Sequence, residues 1–253
     1  MKKNQIAAQG YTLHSICPDR ESADKAFAAV KAIGYDAIQI SALWHLGVDT
    51  LVELCRKHEL EVCATHIDFS NIVNDFDKVV ADHKALGCKY VGIGSMPAEA
   101  RESLDACRAF VKQFNEYGLR LKEQGLTLIY HNHHFELADL GGGTLMDVLF
   151  EEGDPEAWQF EIDTHWIVRG FNDPVKWIRK VGGRMDCIHF KDLVNLADGP
   201  TYAEIGEGTL NWGEIVPACR SIGVKWYIVE QDVCKGSPID SLKISYDNMV
   251  KMI

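Results

Sequence analysis

The stretch "KAIGYDAIQI" (residues 31–40) holds two elements and the joint between them. Its first three residues close a run with helical spacing. Gly34 stops that run, and Ala37 to Ile40 form a short apolar segment of the kind that makes a buried strand. The same phrase returns as "KALGCKYVGI" (84–93), "KEQGLTLIY" (122–130) and "RSIGVKWYIV" (220–229). A helix that ends on glycine and leads within a few residues into a buried strand is the return half of a helix–strand unit, and its recurrence predicts a parallel sheet.

Outward from these joints, eight strand-like runs appear: "QIAAQGY" (5–11), "DAIQIS" (36–41), "EVCATHI" (61–67), "YVGIGS" (90–95), "LTLIYHNH" (126–133), "WQFEIDTHW" (158–166), "MDCIHFKD" (185–192) and "WYIVEQD" (226–232). Amphipathic segments separate them. In "SADKAFAAVKAIG" (22–34), Ala23, Phe27, Val30 and Ile33 share one face, with Ser22 as the expected N-cap and Gly34 as the stop. "DPVKWIRKVGG" (173–183) opens with Pro174 in a first turn, where the missing N–H costs nothing. Eight strands alternating with helices, with no break in composition, predict a single-domain (β/α)8 TIM barrel over residues 1–253. The alternative, a doubly wound sheet, calls for a glycine-rich phosphate loop after its first strand. The corresponding segment, "TLHSICPDRES" (12–22), has no G-x-G-x-x-G.

Bulk properties narrow the class. The formal charge of −11 argues against general binding to nucleic acid phosphates. None of the eight cysteines forms a C-x-x-C pair, which leaves a zinc ribbon or thioredoxin motif unsupported, and several lie in apolar runs that read as reduced, buried thiols. The N-terminus lacks a signal-like apolar segment, and no apolar run approaches the length of a membrane span. These features place the expected chain in the cytoplasm, with no membrane or nucleic acid partner.

In such a barrel the chemistry collects at the C-terminal ends of the strands. That is where the histidines cluster. His66 ends the third run, His131 and His133 the fifth (in "YHNHHFE", 130–136), His165 the sixth and His189 the seventh, and His134 follows the fifth. Asp163, His189 and Glu230 end three consecutive runs, each preceded by apolar residues. Carboxylate and imidazole together suit a divalent ion such as Mn2+, Mg2+, Co2+ or Zn2+.

Taken together, "YHNHHFE", "FEIDTHW" (160–166), "IHFKD" (188–192), "EIGEGTLNW" (204–212) and "VEQD" (229–232) resemble the sugar phosphate isomerase/epimerase family of the xylose isomerase-like barrel superfamily, over nearly the whole chain. The resemblance implies a metal held by a strand-five Glu, a strand-six Asp, a strand-seven His and a strand-eight Glu. Asp163, His189 and Glu230 match. His131 stands where the family has its strand-five Glu, so Glu136 is the expected fourth ligand, with His131 or His133 as the alternative. The family's Asp-x-x-His on strand six is also altered, with Trp166 at the His position and His165 one residue early.

The implied activity is isomerisation or epimerisation of a sugar or keto-sugar, phosphorylated or not. Glu230 and Glu136 would move the proton on opposite faces. His66, His131, His133, His165, Lys191 and Trp166 would contact substrate. Trp44 is expected at the rim and Glu207 as a loop cap. A lyase of the inosose dehydratase type, acting on a keto-inositol or 3-keto-glycoside, begins with the same proton abstraction and stands as the alternative. An endonuclease IV-like protein would need a basic face, and a non-catalytic sugar-binding relative would not need the intact ligand set. The expected partner is a small carbohydrate, and self-association is left open.

Overall fold

The computed structural model describes residues 1–196 and 199–253. Eight parallel strands close into a barrel in the order β1 (Ile6–Gln9), β10 (Trp226–Val229), β7 (Cys187–Phe190), β6 (Trp158–Asp163), β5 (Thr127–His131), β4 (Tyr90–Ile93), β3 (Glu61–Ile67) and β2 (Ala37–Ile40). The predicted barrel is thus the observed one.

Two differences matter for the site. An antiparallel hairpin, β8 (Asp192–Leu196) and β9 (Gly199–Ala203), follows β7 and precedes the helix Trp212–Ile222. The sequence reading assigned no strands there, because the hairpin is short and its β-branched residues lie beside Gly199 and Pro200. The sixth run is also shorter than expected. It ends at Asp163, whose Oδ1 accepts the Trp166 N–H at 2.9 Å and so starts the helix Thr164–Arg169. Another correction concerns the helix Arg20–Ile33. Its N-cap is Asp19, not Ser22: the Asp19 side chain accepts the Ser22 N–H at 2.8 Å. Gly34 does end that helix, at φ +123°, where a Cβ would collide with the Tyr246 ring.

Two apolar layers support the strands. Inside the barrel pack Ala7, Ala37, Cys63, Ala64, Tyr90, Ile129, Cys187 and Ile228. Between barrel and helices lies a larger shell that includes Phe110, Phe114, Tyr130 and Trp158. Above the inner layer, toward the C-terminal ends, the interior turns polar, with buried Gln9, Gln39, Glu161 and His189. All eight cysteines are unpaired. No helix among the described residues is long and apolar enough to cross a membrane.

Candidate functional site

Strand alternation sends His131, Asp163 and His189 to the inside of the barrel, and Glu230 joins them just past β10. Asp163 pairs in register with His189 across β6 and β7. The four side chains offer ligand atoms that all lie within 4.8 Å of one another. His189 Nδ1 is 3.0 Å from Glu230 Oε2 and 3.8 Å from Asp163 Oδ2, and His131 Nε2 is 3.3 Å from Asp163 Oδ2. A coordination shell with bonds of about 2.0–2.2 Å has edges of roughly 3–3.5 Å. Two of these separations match that range and the third lies just outside it.

The far side of each imidazole is also prepared for coordination. His131 Nδ1 faces the Gly94 carbonyl at 3.0 Å, and His189 Nε2 faces Gln39 Oε1 at 2.6 Å. Each acceptor can hold an N–H on that side of the ring, which leaves the other nitrogen, once deprotonated, to present a lone pair, the usual arrangement behind a metal-bound histidine. The donor set therefore fits a divalent ion.

Beneath lies a second polar tier. Glu161 sits two residues before Asp163, so it points inward one layer lower. It accepts from Gln39 Nε2 at 3.0 Å and pairs with His66. Burial would raise its carboxyl, but the charges of His189 and His66 hold it well below the usual carboxylate range. Gln9 donates to Gln39 at 2.7 Å and completes the tier. Burial likewise opposes the charge of Asp163, yet Lys191 and His131 hold its carboxyl at about 2. Burial would lower the His189 imidazole, but Glu161 and Glu230 lift it to about 10. The proton so held is one that a metal ion must displace.

Glu136 is not part of the cluster, contrary to expectation. Tyr130 points outward into the aromatic shell, and its hydroxyl donates to Glu136 Oε1 at 2.8 Å. The His133 N–H donates to Glu136 Oε2, also at 2.8 Å. These bonds draw the buried carboxylate behind the strand end, and burial raises it to about 7. The Glu lies in the loop rather than on the strand, so the turn Phe135–Leu137 decides its direction. His131, on the strand itself, occupies the position among the donors.

A cavity of about 880 Å³ opens over the cluster. His66, His131, His133, Trp166, Lys191 and Glu230 line it, and Trp44 lies on its wall with its indole N–H bonded to the His66 carbonyl at 2.7 Å. His133 Nδ1 and Trp166 Nε1 are buried and have no hydrogen-bond partner among the described residues. His165 does not line the cavity. It falls in the first turn of the helix after β6, outside strand alternation, where its ring stacks on Tyr202 and its Nδ1 faces the Asp192 carbonyl at 3.2 Å. His134 stacks on Trp166.

The end of "IHFKD" serves the loop that follows. Buried Asp192 accepts N–H donors from Leu193 and Leu210 on Oδ1, and from Gly206, Gly208 and the Trp212 indole on Oδ2. A Cβ at residue 208 would lie 2.1 Å from Asp192 Oδ1, which explains the glycine. Glu207 accepts from Asn248 Nδ2 at 2.9 Å, in keeping with a capping role. Sequence reasoning overlooked Gln39, Glu161 and Asp232. For the first two, the period-two alternation of "AIQI" and "FEID" carried the signal.

Comparison with known proteins agrees with this architecture. Residues 27–243 match the family model for the xylose isomerase-like TIM barrel. Inosose dehydratase of Mesomycoplasma hyopneumoniae (strain 7448) is 24% identical over 194 residues, 68% of this chain, and the match spans 63% of that relative's length. Among solved structures, a sugar phosphate isomerase/epimerase from Parabacteroides distasonis superposes with a TM-score of 0.82 at 20% identity, covering 98% of this chain and 94% of the other. D-allulose 3-epimerase from Methylomonas sp., in complex with D-allulose, gives 0.73 at 17% identity, covering 100% and 98%. The chain belongs to the xylose isomerase-like TIM barrel family.

Proposed function

We propose that this protein is a divalent-metal-dependent enzyme that moves a proton at a carbon beside a carbonyl, as an isomerase or epimerase of a sugar or keto-sugar. The observation that carries the reading is the convergence of His131, Asp163, His189 and Glu230 beneath the cavity. When bound there, a divalent ion supplies polarisation of the carbonyl and stabilisation of the charge that proton removal leaves behind. Two imidazoles with two carboxylates suit Mn2+, Co2+ or Zn2+ better than Mg2+.

The chain's own groups handle the proton. Burial opposes the charge of Glu230, but Lys191 and His189 keep it ionised. It lines the cavity and can accept a proton there. With Glu136 withdrawn, His133 is the group on the other side. Burial pushes its imidazole down to about 2, so it is neutral at physiological pH, and its unpartnered Nδ1 can exchange a proton or a hydrogen bond with a substrate oxygen. The free Trp166 N–H donates to a hydroxyl, and the Trp44 and Trp166 rings offer flat faces to sugar C–H groups. The buried thiols support a cytoplasmic setting.

A lyase is the second reading, favoured by the dehydratase name of the curated relatives. Metal-loaded protein should be incubated in D2O with ketoses, keto-inositols and 3-keto-glucosides. Deuterium incorporation without loss of water supports the isomerase or epimerase. A dehydrated product moves the assignment to a lyase. Neither exchange nor product across these classes refutes the proton-transfer reading.

A further inference from the structure

Lys191 is 1% exposed, and its ammonium group is enclosed by acids. Nζ lies 3.0 Å from Glu230 Oε2, 3.6 Å from Asp163 Oδ2, and in an ion pair with Asp232 Oδ2. The rings of Trp166 and Tyr202 sit 4.8 and 5.4 Å away. An ammonium has three N–H groups, and three carboxylates face them here. The Glu230 contact is a hydrogen bond, and those to Asp163 and Asp232 are ion pairs.

The choice of oxygens is informative. Glu230 Oε2 and Asp163 Oδ2 are the same atoms that face His189 and His131 in the donor set. Asp163 Oδ1 already accepts the N–H that starts the following helix, which leaves Oδ2 as its freer oxygen. Lys191 and a metal ion therefore draw on the same two atoms. The charges also close. Asp163, Glu230 and Asp232 carry three negative charges, and Lys191 cancels one. The remainder equals the charge of one divalent ion. Glu161 lies in the tier below, where it faces the His66 and His189 imidazoles.

We propose that Lys191 and Asp232 form a charge-balancing pair that sets the affinity of the four-donor centre for its ion. Lys191 competes for the donor oxygens of Asp163 and Glu230, and Asp232 draws the ammonium away from them. The inference rests on the metal-centre reading above.

The test measures Mn2+ and Zn2+ affinity by competition with a chromophoric chelator, for the wild-type chain, Lys191→Met, Asp232→Asn and the double variant. Lys191→Met should bind roughly tenfold or more tightly, since a positive charge beside the ion is gone. Asp232→Asn should bind weaker by a similar factor. The double variant restores neutrality and should return to within about threefold of the wild type. It also carries no excess charge, so it keeps the test open if Lys191→Met fails to fold. Unchanged or weaker binding by Lys191→Met, or a double variant that does not return, overturns the proposal. Absence of ion binding by the wild-type chain instead overturns the metal centre itself.

Discussion

Asp192→Asn tests whether the last residue of "IHFKD" is an organiser of the loop rather than part of the chemistry. Five N–H groups converge on its two oxygens, two on Oδ1 and three on Oδ2. An asparagine offers one oxygen and one NH2. In its better orientation it keeps the three donors on the Oδ2 side and turns its own donor toward the N–H groups of Leu193 and Leu210. Two bonds to a charged acceptor are lost, each worth about 1.5–3 kcal/mol, for a total of about 3–6 kcal/mol. For a chain of this size each kcal/mol lowers Tm by about 2–4 °C, so the midpoint should fall by roughly 6–24 °C. The assay is thermal unfolding followed by circular dichroism, with bound metal measured on the same sample. Metal stoichiometry should survive below the new midpoint, because Asp192 is outside the donor set. A Tm within about 2 °C of the wild type would refute the convergence argument.

Three other outcomes follow from the geometry of the site. Elemental analysis should find that His131→Ala loses the ion while Glu136→Ala retains it; the reverse would return the strand-five role to the glutamate. Glu136→Ala should nonetheless cost about 2–5 kcal/mol in denaturant unfolding, because the Tyr130 hydroxyl and the His133 N–H each lose a buried acceptor. Burial raises the Glu136 carboxyl from 4.5 to about 7. Its contribution to stability is therefore complete below pH 4.5 and is lost as the pH rises through about 7. Glu136→Gln cannot ionise, so unfolding measured from pH 4.5 to 8 should show a shallower decline than the wild type, and parallel curves would contradict the assignment.

The barrel was legible because glycine-stopped helices alternate with short apolar runs, a pattern that depends only on local conformation and burial. Asp163, His189 and Glu230 could be located for a related reason: Asp163 and His189 lie on their strands and Glu230 directly follows one, so alternation dictates direction. Glu136 and His165 were misplaced because both lie just beyond a strand end. A single turn there re-aims the side chain: Asp163 caps the turn that carries His165, and the Tyr130 hydroxyl, six residues back, holds Glu136. The hairpin between β7 and the helix Trp212–Ile222 was missed because its strands are short and their β-branched residues lie beside Gly199 and Pro200.

Asp163 divides its carboxylate between two tasks: one oxygen joins the donor set, and the other begins the helix that carries Trp166. His131 has no such second duty, since its far nitrogen meets only a backbone carbonyl. The two positions therefore differ in how freely they can be redesigned. Exchange of Asp163 for another ligand type would disturb the floor and the wall of the cavity at once. Exchange of His131 leaves that helix start untouched, so in the proposed metal centre position 131 is the donor that a single substitution can change without moving the helix that carries Trp166.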